Sequence, residues 1–166
     1  MDQFPWSSYS QLYSFKHSQD LRITRFQVGK LLYLTLTRPD IAYTVQTLSH
    51  FTQAPKRSHL EAAHRLVRYL KNEPRLGILL SADGDMTLRA YYDADCASCP
   101  NSKKSVTCYL VKLGESLVSW KSKKQNTVAR SSAKSKYRSM ALTISELIWL
   151  LRVFKELGVD LSTPIQ

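Results

Sequence analysis

Residues 88–141 read LRAYYDADCASCPNSKKSVTCYLVKLGESLVSWKSKKQNTVARSSAKSKYRSMA. Leu88, Ala90 and Tyr92 alternate with Arg89, Tyr91 and Asp93, which predicts a strand. A loop centred on Pro100 follows. Residues 106–112 and 116–121 predict two further strands, joined by a hairpin at Leu113-Gly114-Glu115. The period then changes. Ala133, Tyr137, Met140, Ile144, Leu147, Leu151 and Phe154 step by four and three, which predicts one long helix from Ser132 to about Leu157, buried along that stripe. Gly158 is the stop signal.

Upstream the pattern is helical. Between Arg25 and Phe51 two short helical stretches are separated by Arg38-Pro39-Asp40, where Pro39 disfavours a helical Arg38 and can itself start a helix. Ser58 and Glu61 have the spacing of a capping box. In the helix that follows, Leu60, Ala63, Val67 and Leu70 share one face and Arg65 and Arg68 the other. His64 lies at the border and reads as a surface residue. Residues 1–24 are rich in Ser, Gln and Tyr without a period and read as irregular. Pro164-Ile165-Gln166 reads as the beginning of another strand. The order is helices, three strands, one long helix, an α+β arrangement.

The chain has 166 residues, enough for one domain or one plus a fragment, and a 43% hydrophobic share that excludes a disordered tail. No apolar run is long enough to span a bilayer, and the start, MDQFPWSSYSQ, lacks the basic and apolar regions of a secretory signal. Three cysteines argue against a disulfide framework and for a reducing, intracellular setting. Neither a membrane nor a small-molecule substrate is expected as a partner.

Lys and Arg number 24 against 13 Asp and Glu, a formal charge of +11. Between Asn101 and Arg138 ten residues are basic and one, Glu115, is acidic. Such a surface attracts polyanions, nucleic acid above all. Trp120, Lys121, Lys123, Lys124 and Arg130 are the residues expected to grip phosphates.

Asp93 and Asp95, two apart at the end of a strand, are weak candidates for a magnesium site, because strand-end aspartates also favour turns. Cys96 and Cys99 form a C-x-x-C pair with no second pair to complete a zinc site, and read as reduced thiols. Ser131 and Ser132 read as helix caps. Lys134 and Lys136 stand in the first turns of the long helix, where the helix dipole favours anions.

Three stretches, VGKLLYLTLTRPDIAYTVQTLSHF from Val28, HLEAAHRLVRYLK from His59, and YYDAD through SSAKSKYRSMA from Tyr91, resemble the Pol polyprotein of copia-type retrotransposons of plants. The resemblance runs from about Val28 to Gly158. It implies a helical tail of the reverse transcriptase over residues 25–77 and a partial ribonuclease H-like domain over residues 86–166. The family's ribonuclease H has a mixed five-stranded sheet with flanking helices, of which three strands and the long helix are expected here. It cleaves the RNA strand of an RNA–DNA hybrid with two magnesium ions held by acidic residues.

Asp93 matches the first of those acids. The family pattern SS-x-E-x-E-Y falls on SSAKSKY, so Lys134 and Lys136 stand where the family has glutamates, and Lys136 takes the metal-binding position. The third acid would lie beyond Gln166. Cys96, Cys108 and Asn101 also depart from the family's usual Trp, Gly and Asp. The leading expectation is a truncated, catalytically dead remnant with no cofactor, in which Lys136 pairs with Asp93. The second is a non-catalytic module that binds nucleic acid, such as an RNA–DNA hybrid, through its basic patch. The third is a nuclease completed by another chain.

Overall fold

A computed structural model of the protein describes residues 21–81, 86–99, 102–159 and 161. The chain divides into two compact units, Met1–Leu76 and Gly77–Gln166.

In the first unit, helix α1 spans Leu21–Leu34, a 3₁₀ turn spans Pro39–Ile41, helix α2 spans Ala42–Ser49 and helix α3 spans Arg57–Asn72. Helix α1 begins four residues before the predicted helical stretch; the rest of the segment read as irregular, residues 1–20, lies outside the described residues. Val28, Leu31, Ile41, Val45, Leu48, Ala63, Leu66 and Leu70 form one buried core. Burial of this apolar surface from three amphipathic helices is what holds them together.

Arg38 is the exception in that apolar setting. Its backbone is non-helical, as a residue before proline favours, and Pro39 opens the 3₁₀ turn. Its buried guanidinium donates to Asp40 through Nε and Nη2, at 2.9 and 2.8 Å, and to the Glu73 carbonyl through Nη1, at 3.0 Å. It also lies over the ring of Tyr69. One side chain thus ties the corner between α1 and α2 to the end of α3.

The Ser58–Glu61 capping box does not form. Helix α3 starts two residues earlier, with Lys56 as N-cap, so Ser58 lies inside the first turn. His59 takes over part of the role: its Nδ1 accepts from the Lys56 N–H at 3.1 Å while its ring stacks on Phe51. Glu61 instead pairs with Arg57, an exposed i,i+4 pair worth a few tenths of a kcal/mol.

The second unit has strands β1 (Leu88–Asp95), β2 (Val106–Leu113) and β3 (Ser116–Lys124), followed by helix α4 (Ser132–Glu156). The order is β1-β2-β3 and both pairings are antiparallel. The sheet formed by the described residues is therefore antiparallel and not mixed as expected. Neighbouring strands joined by a tight turn must run in opposite directions. Gly114 makes the turn between β2 and β3 at φ +56°, a backbone region that favours glycine. Gly158 ends α4 at φ +72°.

The buried face of α4 is not the predicted apolar stripe. Ser135, Ser139, Thr143 and Leu150 are buried, whereas Ala133, Tyr137 and Ile144 are exposed. Small polar side chains let the helix approach the strand backbone closely: Ser139 Oγ donates to the Asp93 carbonyl at 2.7 Å, and Thr143 Oγ1 to the Ser139 carbonyl. Only further along do Leu147, Leu150 and Phe154 join Leu88, Ala90, Tyr109 and Val111 in an apolar core. Ser139→Leu is expected to lower stability by about 3 kcal/mol, through overpacking and loss of the hydroxyl's hydrogen bond. A denaturation curve of the variant beside the parent checks this.

Candidate functional site

Helix α4 is anchored at its start by its cap. Ser131 has extended backbone, and its Oγ accepts from the Lys134 N–H at 3.2 Å. Gln125, at the end of β3, donates through Nε2 to both Thr107 Oγ1 on β2 and the Ser135 carbonyl, each at 3.0 Å. Arg138 donates to the Thr127 carbonyl at 3.1 Å. These contacts, with Ser139 against β1, set the first turns of α4 beside the end of β1.

That placement brings Lys136 to Asp93, 43 residues away in sequence. Lys136 Nζ lies 3.8 Å from Asp93 Oδ1, with the two side chains 62% and 68% exposed. The long distance and the exposure make this a weak pair energetically. Its meaning is chemical: the carboxylate is paired with an ammonium. Asp95 is exposed at the end of β1, and Lys134 is exposed on the first turn of α4. This donor set does not fit magnesium, which takes oxygen ligands and is repelled by an adjacent cation. Among the described residues no three His, Cys, Asp or Glu side chains are grouped to hold a metal ion.

The basic residues divide between two faces. Strand register pairs Trp120 with Leu110 and Lys124 with Val106, but Lys121 with Tyr109 and Lys123 with Thr107. Tyr109 packs under α4. Alternation therefore sends Lys121 and Lys123 toward the side of the sheet that carries α4, and Trp120 and Lys124 toward the other. Lys124 Nζ lies 2.9 Å from Cys99 Sγ. Lys121, Lys123, Arg130, Lys134 and Lys136 are all exposed. None of the three cysteines, Cys96, Cys99 and Cys108, is in a disulfide.

Sequence reasoning missed a polar cluster under the helix. Ser119 Oγ bonds Glu146 Oε1 at 2.7 Å, and Tyr109 lies among them. Burial, then the Glu146 charge, pushes the Tyr109 hydroxyl up from its ordinary value of 10 to about 12. The folded state therefore holds this proton more tightly than the unfolded chain. The associated stability is complete below pH 10 and is lost as pH rises toward 12. Tyr109→Phe is expected to flatten that alkaline loss by on the order of 1 kcal/mol, after allowing for solvent screening. Denaturation midpoints measured across this range check it.

Comparison with known proteins places these features in a context. The chain is 44% identical over 153 residues to the retrovirus-related Pol polyprotein from transposon RE1 of Arabidopsis thaliana, covering 92% of this chain and 10% of that one. It is 44% identical over 137 residues to the corresponding polyprotein from transposon RE2 of the same plant, covering 82% of this chain and 9% of that one. The chain thus spans about a tenth of the length of these two relatives. It is also 40% identical over 124 residues to secreted RxLR effector protein 161 of Plasmopara viticola, covering 74% of this chain and 87% of that protein. No family model matches the chain, and no solved structure does. No helix among the described residues is long and apolar enough to cross a membrane.

Proposed function

We propose that this chain, which belongs with the retrovirus-related Pol polyproteins of plant transposons, is a catalytically inactive remnant of the copia type, joining the tail of a reverse transcriptase to the front of a ribonuclease H-like domain. On this reading α1 to α3 are the reverse transcriptase tail, and β1 to β3 with α4 are the ribonuclease H part.

The observation that carries the reading is Lys136 facing Asp93. Metal-dependent hydrolysis of a phosphodiester requires carboxylates that gather divalent cations, which activate water and steady the leaving oxygen. Here one carboxylate of the expected set is kept and its neighbour carries the opposite sign. Asp93 then serves to accept the ammonium, and the backbone anchors at Ser139 and Gln125 hold a scaffold without its reactive ions. The purified chain is expected to leave a labelled RNA–DNA hybrid uncut in magnesium. Magnesium-dependent scission that Asp93→Asn removes would overturn the reading.

A second reading keeps binding without cleavage. Lys121, Lys123, Arg130, Lys134 and Lys136 are exposed cations on β3, the following connection and the start of α4, and a phosphate backbone suits them. Trp120 and Lys124 belong to the opposite face of the sheet, so the reading rests on the remaining three of the five residues first expected, together with the helix lysines. Hybrid binding is expected to weaken by roughly 10³-fold between about 50 and 200 mM salt if about six phosphates are contacted. A filter-binding series over that range measures it, and no retention at the lowest salt removes the reading.

A further inference from the structure

We propose that Cys99 is an oxidation site for hydroperoxides, its thiol activated by Lys124 and its oxidised form resolved by Cys96. Lys124 Nζ donates to Cys99 Sγ at 2.9 Å. An ammonium beside a sulfur favours the thiolate, the form of cysteine that acts as a nucleophile. The other thiol of the C-x-x-C pair stands three residues earlier and is exposed, Cys99 is partly accessible, and neither is in a disulfide. A partly accessible thiol beside a cation, with a second thiol at hand, is the arrangement of redox-sensitive cysteines.

The fold builds this pair from residues 25 apart in sequence. Lys124 ends β3 and registers with Val106 on β2, which registers with Asp95 on β1. The connection from β1 to β2 meets this end of the sheet. Within it the Cys99 N–H donates to the Lys104 carbonyl at 3.2 Å, and the Lys103 N–H to the Cys99 carbonyl at 2.8 Å. The Ala97 N–H donates to the Oγ of buried Ser105 at 3.1 Å, and the Gln125 N–H to the Ser105 carbonyl at 2.8 Å. These bonds fix the backbone on each side of the pair. Lys103 and Lys104 add positive charge in the same connection. Of the acids at this end of the sheet, Asp93 pairs with Lys136. Asp95 lies two strand spacings, about 10 Å, from Lys124 at the backbone. Screening leaves little of its competition at that separation, against 2.9 Å for the thiol.

Oxidation proceeds in two steps. The Cys99 thiolate attacks one oxygen of hydrogen peroxide; the O–O bond breaks, hydroxide leaves and takes a proton from solvent, and the sulfur becomes a sulfenic acid. The Cys96 thiol then attacks that sulfur; the S–O bond breaks, and the hydroxyl leaves as water with the Cys96 proton. The two thiols lose two electrons and the peroxide is reduced to two waters. Forming the disulfide requires the two Cα atoms to come within about 7 Å. The chain turns at Cys96 and Ala97, and Ala97 holds φ +52°, a region unfavourable to a residue with a Cβ. A local rearrangement that closes the disulfide can release that strain. At about 3 Å in a water-like dielectric, the ammonium raises the thiolate fraction about tenfold. Nucleophilicity falls as the thiolate is stabilised, which leaves a net gain in rate of about threefold at neutral pH.

Alkylation of the full chain with iodoacetamide, a neutral reagent, followed at each cysteine by mass spectrometry, tests the activation. Lys124→Gln is expected to slow Cys99 about threefold while Cys96 keeps its rate. Lys124→Arg, which keeps the charge, should leave Cys99 near its parent rate. The unsubstituted chain provides a measurement free of variants. Treated with hydrogen peroxide in the presence of dimedone, which traps sulfenic acids, it should carry the adduct on Cys99 and not on the more exposed Cys96. Without dimedone the product should be a Cys96–Cys99 disulfide. A first adduct on Cys96 or Cys108, a Cys99 rate indifferent to Lys124→Gln, or oxidation that ends without that disulfide each overturns the proposal.

Discussion

Lys136→Glu is expected to raise the affinity of the Asp93 site for magnesium by roughly 30-fold. Both side chains are mostly exposed, so the dielectric is close to that of water. At about 4 Å a unit charge and a dication then interact by about 2 kcal/mol, and replacing +1 by −1 changes this by about 4 kcal/mol. Salt screening and side-chain motion reduce the gain to about half, or about 2 kcal/mol. The substitution also removes a cation from the first turns of α4 and adds an anion, a change the helix dipole favours by about 0.3–1 kcal/mol. Without magnesium, the lost attraction to Asp93 and the new repulsion cost about 1 kcal/mol after screening, so the two effects roughly offset and the variant's stability should stay within about 1 kcal/mol of its parent's. Magnesium titration followed by the Asp93 carboxylate resonance measures the shift, and equal weak binding by both proteins would show that the ammonium is not the barrier.

Asp40→Ala is expected to destabilise the first unit by about 3 kcal/mol. It leaves the buried guanidinium of Arg38, 5% exposed at the side chain, without its carboxylate, and breaking such a pair from one side costs about 3–5 kcal/mol. Asp40 itself is 28% exposed, so water can partly reach the vacated position and the lower end applies. Arg38→Ala removes the charge along with its partner's bond, but frees the Glu73 carbonyl and empties the space beside Tyr69. The Arg38 hydrogen bonds hold the Asp40 carboxyl below its ordinary value of 3.8. The stability linked to this carboxylate is thus full above pH 4 or so and is lost as pH falls through the lowered value. Asp40→Asn should flatten that acid limb. Hydrogen exchange across α1 to α3 as a function of pH reads the effect locally, free of the second unit.

The elements that rest on repeating pattern and turn chemistry were legible in the sequence. The hairpin at Gly114, the ends of α4 at Ser132 and Gly158, and the buried face of α3 at Ala63, Val67 and Leu70 all follow from period and punctuation. What was not legible has a common cause: polar groups used at close quarters. Hydrophobic periodicity rotates α4 toward its apolar arc, whereas the helix packs first through Ser135, Ser139 and Thr143, whose small side chains admit the strand backbone. The turn at Arg38-Pro39-Asp40 says nothing of the burial of Arg38, which follows from Asp40 and the Glu73 carbonyl being brought to it. Lys56 and His59 replace an ordinary cap with a ring nitrogen. The basic patch looked continuous because its residues are neighbours in sequence, and strand alternation divides it. The approach of Lys136 to Asp93 has no local signature at all. It arises from tertiary anchors, Ser139 and Gln125, that no spacing rule detects.

The central claim is that Asp93 faces an ammonium and holds no divalent cation. Calorimetric titration of magnesium into the unsubstituted chain, with Asp93→Asn as the reference, tests it most directly. The two titrations should coincide, with no saturable heat above dilution. A saturable heat in the parent that disappears in Asp93→Asn would contradict the account.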